Sequence, residues 1–423
     1  MASATSSHQA SPTREPAWDP IQEPTRNPIQ EPTREPTRER PASGTLFLLL
    51  IAVCTAVTAA NIYLAAPLLP LISHDFGTTP SAIAWIASVA QLGYAAGLLF
   101  FAPLGDRVNR RSLVAWLSVA TTAALLVAAL APGTAPLAAA VFVAAAATVI
   151  PQLLVPLVAA RAPADRRARH VAAVIAGLFT GIVAARVLGG LAGQGLGWRW
   201  VFAGSSVLTL ILGLATALAL PSDRPARQGG LFSGMAELPG LLRRSPELRR
   251  SCIRQAGMFG AWSALWTSLS LLLTGPEYGL STATAGLFGL FGLTASAVAP
   301  LAGGLVDRFG AGRVVGTAFV LAAVAVPLFW LGGHVLPALF AAAIAIHAAL
   351  VASHVANQTV ALTTTTTPAT ANTAYVVSGF AGGALASAAA GPAFGHWGWA
   401  GVCAVAGLWL ALGWAATLRT GRR

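Results

Sequence analysis

The stretch Gly97-Leu-Leu-Phe-Phe-Ala-Pro-Leu-Gly-Asp106-Arg107-Val-Asn-Arg110-Arg111 decides how the chain is read. It joins two long apolar segments and sets one carboxylate among three guanidinium groups at the joint. A relative of it, Ala302-Gly303-Gly304-Leu-Val-Asp307-Arg308-Phe-Gly310-Ala-Gly312-Arg313, stands 201 residues later. Asp106 then maps to Asp307, and Arg107 to Arg308. The same offset carries Phe179 to Phe380, Gly181 to Gly382, Gly190 to Gly391, Gly197 to Gly398 and Trp198 to Trp399. Asp75-Phe76-Gly77 and Glu277-Tyr278-Gly279 match at 202. Single matches mean little in a chain rich in Gly and Ala. The shared spacing is the signal, and it marks a duplicated unit.

Composition bounds the class. The chain of 423 residues is 56% hydrophobic and 9% charged, with a mean hydropathy of +0.69. A soluble domain of this length needs more charge to cover its surface. Repeated apolar runs of about 20 residues read instead as membrane-spanning helices. All 26 basic residues are arginine, and the formal net charge is +12. That charge lies in short loops between apolar runs, where it sets topology. No basic and aromatic interleaving marks a nucleic-acid surface, and no nucleic-acid partner is expected. Cys54, Cys252 and Cys403 have no metal spacing and read as small apolar residues in or at the edge of spans.

Residues 1–43 form a tail in which proline recurs at 16, 20, 24, 28, 32 and 36. Proline at that density prevents a helix, so a disordered cytoplasmic tail is expected. Twelve spans follow, near 45–72, 82–104, 112–131, 137–160, 171–193 and 200–220, then 252–274, 283–305, 313–332, 337–360, 373–394 and 399–418. This divides the chain into the tail (1–43), a six-helix bundle (44–220), a central cytoplasmic loop (221–250) and a second six-helix bundle (251–423). Arginine crowds one set of loops, while the opposite loops hold only Arg199. Positive loops stay inside, so both termini are expected on the cytoplasmic side. Trp198, Trp200, Trp397 and Trp399 read as an interfacial aromatic belt.

Several stretches carry a family resemblance. They are Ala60-Asn61-Ile-Tyr63-Leu-Ala-Ala-Pro67, Gln91-Leu-Gly93-Tyr94, Pro103-Leu-Gly-Asp106-Arg107, Gly181-Ile-Val-Ala-Ala-Arg186-Val-Leu-Gly189-Gly190, Gly197-Trp198-Arg199, His354-Val-Ala-Asn357-Gln358 and Asn372-Thr-Ala-Tyr375. With twelve spans in two halves, the chain resembles the major facilitator superfamily over roughly residues 45–420. It is most similar to the drug:proton antiporter branch with its sugar and nucleoside efflux permeases. The resemblance implies an all-α membrane protein of two pseudo-symmetric six-helix bundles, a parallel-repeat transporter plan. It departs from the pattern at Ala102 and Asn109, where the usual turn has Gly. Span four lacks a common arginine, and the loop Thr363–Ala371 has no charge.

The resemblance implies that Asp106, Arg107, Arg110 and Arg111, with Asp307 and Arg308, act as a conformational latch, the aspartates meeting helix starts of the other half. The bland alternative is a pair of topology-setting turns. Arg186 lies 15 residues into span five, roughly 22 Å from its inner end. A charge there faces a polar cavity or a partner, so it contacts solute or braces the spans. Asn61, Tyr63, Gln91, Gln152, His354, Asn357 and Gln358 complete the candidate cavity lining. A histidine such as His354, or His347 two turns away, can carry a proton or simply pack. Gly181, Gly189, Gly190, Gly382 and Gly383 let helices approach closely and are expected to form a sliding contact between the halves.

No span contains a carboxylate in its interior. Neutral polar or anionic small molecules therefore fit better than permanent cations. No HExxH, Walker or nucleophile-elbow motif is present, so neither an enzyme nor an ATP-driven pump is expected. The expectation is a monomeric secondary transporter in a bacterial cytoplasmic membrane, with no cofactor, driving efflux from the proton gradient. A facilitator or uptake symporter of the same fold is the alternative. A membrane receptor or scaffold that uses the proline-rich tail is the alternative of another class.

Overall fold

The computed structural model describes residues 44–106, 108–161, 167–221, 233–363 and 368–418. The expected tail, Arg107 and residues 364–367 of the loop Thr363–Ala371 lie outside the described residues. Sixteen α-helices account for nearly all of what is described. Eleven helical runs among the described residues are long and apolar enough to cross a bilayer. The last of these, Thr370–Thr417, has 48 residues. It is interrupted at Gly398, where φ is 59° and ψ is −150°. Each arm is long enough to cross by itself, so twelve spans result.

Proline punctuates the first half. Helix α1 (Thr45–Tyr63) gives way to α2 (Ala65–Asp75) at Leu64. Pro67 has no N–H for the Tyr63 carbonyl four residues back, and its ring crowds that carbonyl. Helices α6 (Thr134–Ala147) and α7 (Ile150–Arg161) part in the same way. Pro151 withholds the donor that the Ala147 carbonyl would take. Span two runs through α3 (Pro80–Ile83) and α4 (Trp85–Phe101), ending in a 3-10 turn, Pro103–Asp106. The remaining first-half spans are α5 (Arg110–Ala129), α8 (Arg167–Leu196) and α9 (Trp198–Ala219).

The central loop is not wholly a loop. Helix α10 (Ser233–Arg244) rests Leu238, Leu241 and Leu242 on a small core of Leu248, Cys252, Ala361, Ala371, Ala374 and Tyr375. Span seven, α11 (Pro246–Thr274), begins earlier than the hydropathy suggests. Ser245 caps it by accepting from the Leu248 N–H at 3.3 Å, with Pro246 at the first turn. This draws Arg254 into a buried helix position, not a loop. Span eight comprises α12 (Thr282–Leu287), a 3-10 segment Phe288–Gly292 and α13 (Leu293–Phe309). Helices α14 (Ala311–Leu331), α15 (Leu336–Thr363) and α16 (Pro368–Leu418) complete the chain.

Backbone conformation repeats with the sequence. Gly77 and Gly279 have φ of 62° and 57°, and Gly197 and Gly398 have φ of 93° and 59°. Only glycine adopts this region without strain, so the same turns are built twice. Gly310, at φ 82°, has no such counterpart. Asn109 stands 201 positions earlier with φ −61°, and its side chain accepts from the Arg111 N–H at 2.9 Å. The asparagine therefore serves as a helix cap and not as a left-handed turn residue.

A buried polar cluster fastens the first half. The Asn61 amide nitrogen donates to Thr209 Oγ1 at 3.0 Å and to Thr148 Oγ1 at 3.5 Å. Ser205 Oγ donates to Asn61 Oδ1 at 2.6 Å, and Thr148 Oγ1 donates to the Thr58 carbonyl at 2.8 Å. One amide thus ties α1 to α9 and to the break between α6 and α7. At the arginine-poor end, Trp198 packs edge-on against Phe76 and Phe202. Trp198 and Trp399 are 4% and 8% exposed, whereas Trp200 and Trp397 are exposed. Only the latter pair can belong to an interfacial belt. The buried pair packs the corners where the chain turns.

Asn61→Leu would leave Ser205, Thr209 and Thr148 short of a partner, each such loss costing about 1–3 kcal/mol. A clear drop in melting temperature is expected, with little change in the KM of protein that stays folded; thermal denaturation in detergent alongside transport kinetics checks both. The Arg199 hydrogen bond holds the Asp75 carboxyl below its usual value of 3.8. This stabilisation is present above about pH 4 and fades as pH falls through the depressed native value. Both side chains are more than 40% exposed, so the effect is small. Melting temperatures of wild type and Asp75→Asn are expected to differ at pH 5 and to converge as pH falls through the depressed native value.

Candidate functional site

The two charged turns sit at the arginine-rich end. Asp106 closes the 3-10 turn after α4, and Arg110 Nε donates to the Gly105 carbonyl at 2.8 Å. Arg110 and Arg111 open α5, and Arg110 braces the turn locally. In the second half Asp307 and Arg308 are exposed on the last turn of α13, with the Arg308 guanidinium 5.0 Å from the Phe309 ring centroid.

At the other end the halves touch closely. Ser270 Oγ donates to the Ala66 carbonyl at 3.1 Å. That carbonyl is free for a foreign donor because Pro70, four residues on, has no N–H. Gln194 Oε1 accepts from the Ala283 N–H at 2.9 Å, at the start of α12. Gly190 lies against Thr282 and Gly286, and Gly391 against Ser81 and Ala84. A side chain at either glycine would collide with the facing helix.

Between these ends, polar and aromatic groups of both halves converge. Arg186 on α8 is 4% exposed. Its Nη2 donates to the Trp266 carbonyl at 2.7 Å, and its guanidinium lies 4.7 Å from the Trp266 ring centroid. Its Nε has no hydrogen-bond partner among the described residues. Placing a charge at this depth costs about 2.5–3.5 kcal/mol by insertion scales, so it is held only where polar and π contacts receive it. Gly289 and Gly286 accommodate the Arg186 side-chain stem and backbone, which brings α8 against span eight.

Trp266 also meets His347 of α15 edge-on at 4.3 Å. The Trp262 indole N–H donates to His347 Nε2 at 3.1 Å. An indole nitrogen only donates, so Nε2 accepts and Nδ1 carries the proton. His347 Nδ1 faces the Ala343 carbonyl at 2.8 Å, as that tautomer requires. Tyr63 is edge-on to Trp262 at 6.2 Å. Tyr94 and Phe380 lie 4.6 Å apart across the halves, and Gln152 donates to the Tyr94 hydroxyl at 3.3 Å.

Gln91 bridges the halves next to this cluster. Its Nε2 donates to Ser263 Oγ at 2.6 Å and to Ser387 Oγ at 3.4 Å. Ser263 Oγ lies 2.9 Å from both Gln91 Oε1 and Ser387 Oγ, and Thr267 Oγ1 lies 3.1 Å from Ser387 Oγ. Gln91 is 1% exposed.

A second polar group lies nearer the arginine-rich end of the second half. Gln358 Nε2 donates to Asn372 Oδ1 at 2.9 Å, and Asn357 Nδ2 to Ser353 Oγ at 3.1 Å. Asn357 Oδ1 is buried without a partner among the described residues. The Tyr375 hydroxyl donates to Gln255 Oε1 at 2.7 Å and sits 3.4 Å from His354 Nδ1.

The structure thus brings Tyr63, Gln91, Gln152 and Arg186 to one interface, keeps His354, Asn357 and Gln358 within the second half, and engages Asn61 wholly within the first. Trp262, Trp266, Ser263, Ser387 and His347 complete the interface but were not among the candidate lining. The four-residue spacing in Trp262-Ser-Ala-Leu-Trp266 was the available signal, since it puts both indoles on one helix face. The glycines divide by role. Gly181 packs on Ala56 and Gly382 on Ala256, each within its own half, while Gly190 and Gly383 face the other half, Gly383 against Gln91. Gly189 makes ordinary contacts with Leu64 and Pro67.

The family model of the Major Facilitator Superfamily matches residues 51–253. "Probable transporter SCO4007" of Streptomyces coelicolor is 73% identical over 377 residues, covering 89% of this chain and 88% of that one. "Uncharacterized transporter YgaY" of Escherichia coli O157:H7 is 33% identical over 373 residues, covering 86% and 93%. Among solved structures, a bacterial homologue of the human lysosomal transporter Spinster, in an inward-facing and unoccupied conformation, superposes with a TM-score of 0.64 at 17% identity. That alignment covers 88% of this chain and 93% of the other. Helical architecture, duplicated turns and this similarity along most of the chain agree: the protein belongs to the major facilitator superfamily and has its multi-pass transporter fold.

Proposed function

We propose that the chain exports a small neutral polar or anionic solute across the bacterial cytoplasmic membrane, by alternating access and in exchange for protons. The observation that carries this reading is Arg186, a buried guanidinium at the meeting of the halves whose Nε has no partner among the described residues. A solute oxygen would accept a hydrogen bond from that Nε–H. No carboxylate lies in the interior of any span to balance a permanent cation. Tyr63 and Gln91 supply neutral hydrogen-bonding groups at the same interface, and Gln152 reaches it through the Tyr94 hydroxyl. His347 and His354 are imidazoles within the spans, so a proton carried there would use one of them. Direction and proton coupling rest on the motif resemblance to efflux permeases.

The contacts described between the halves run from the arginine-poor end to the middle, while Asp307 and Arg308 are exposed at the other end. This supports a state open toward the arginine-rich side, which is cytoplasmic by the distribution of positive charge. Asp106 and Asp307 would then engage on closing that side. The reading requires neither a cofactor nor a second subunit.

Purified protein in liposomes, offered a sugar, a nucleoside, an organic carboxylate and a quaternary ammonium ion, tests the reading. Movement of neutral or anionic solutes is expected, faster with an imposed pH gradient. Arg186→Gln should lower carboxylate transport about tenfold or more, since it removes a charge-assisted bond. Selective movement of the quaternary ammonium ion, indifferent to Arg186→Gln, would sink the proposal.

A further inference from the structure

The arginine-poor end carries one corner twice. Asp75, Phe76, Gly77, Trp198 and Arg199 in the first half stand opposite Glu277, Tyr278, Gly279, Trp399 and Ala400 in the second. The left-handed glycines show that the turns themselves are the same. One position changes in kind, from Arg199 to Ala400.

In the first half that arginine behaves as a built-in ligand. Its guanidinium pairs with Asp75, lies 4.3 Å from the Trp198 ring centroid and 5.9 Å from that of Phe76, and points Nη2 at the Ala131 carbonyl at 3.4 Å. A planar cation is thus held between a carboxylate and aromatic faces, the combination that suits guanidinium.

In the second half the methyl group of Ala400 cannot reach so far. A cavity of about 410 Å³ lies there, lined among others by Glu277, Trp330, His334, Trp397, Trp399 and Ala400. Its size is within the range of small-molecule sites. Trp399 donates its indole N–H to the Phe329 carbonyl at 2.6 Å, which fixes the ring, whereas Trp198 in the first half donates to Asp75 Oδ2 at 3.3 Å. Tyr278 donates to the Gly332 carbonyl at 2.8 Å, and Gly332 is the counterpart of Ala131. Glu277 meets His334 Nδ1 at 2.6 Å, through a side chain that is 74% exposed and free to swing aside.

We propose that this cavity binds an organic guanidinium or primary ammonium ion, seated where the Arg199 side chain sits in the first half. Glu277 takes the charge, and the tryptophans take the faces of the ligand. The site is separate from the interface around Arg186, so it stands or falls independently of the transported solute.

Calorimetric titration of the full-length protein in detergent with benzylguanidine, and with its neutral isostere benzylurea, tests the assignment. Saturable binding of benzylguanidine only is expected. Glu277→Gln should weaken it about tenfold or more, because the cation loses its carboxylate. Ala400→Arg should abolish it by restoring the built-in occupant, and His334→Ala should strengthen it a few-fold by freeing Glu277. Absence of saturable binding to wild type overturns the proposal. So does binding that Glu277→Gln, at an unchanged melting temperature, leaves intact, whatever Ala400→Arg does.

Discussion

A helix in hydrocarbon has no water to satisfy its backbone, so every carbonyl released by a break must find a donor in the protein. The first half of this chain releases several. Pro67, Pro70 and Pro151 leave the carbonyls of Tyr63, Ala66 and Ala147 without their usual partners. At Ala66 the substitute donor is a serine of the other half. Near the α6–α7 break, Thr148 and Asn61 weld neighbouring spans together. The broken helices are therefore where spans acquire polar contacts, and they concentrate hydrogen-bonding capacity near the centre of the bundle.

Arg186 depends on that arrangement. A lone guanidinium at this depth is tolerable because a backbone carbonyl and an indole face receive it. Small residues of span eight let α8 come close enough for the contact. Trp266 serves two neighbours, Arg186 and the imidazole of His347, and His347 in turn holds Trp262. The charged group, the titratable group and the aromatic wall thus form one mechanical unit, not three independent features.

Much of the fold was legible before any coordinate. Hydropathy marked the spans, because a bilayer demands apolar length, and the 201-residue offset marked the duplication that reappears as paired left-handed glycines. What stayed hidden was choice of partner. Asn61 and Gln91 are both amides in apolar spans, yet one is consumed within its half and the other bridges two. Periodicity specifies a helix face, not what lies opposite. Trp198 and Trp399 likewise fit an interfacial belt by position, and only packing shows them buried. Asn109 stands where the usual turn has Gly, and one side-chain bond makes it a helix cap.

The bend at Gly398 joins the last two spans through a single residue, with no loop between them. The first arm bears Gly383 and Ser387, which touch Gln91 of the opposite half, while the second arm carries Trp409 and Gly413 against Gly257 of α11. Because one residue joins them, the two arms share that corner directly. The surface that the final span presents to lipid is thereby geared to whatever happens at the seam between the halves.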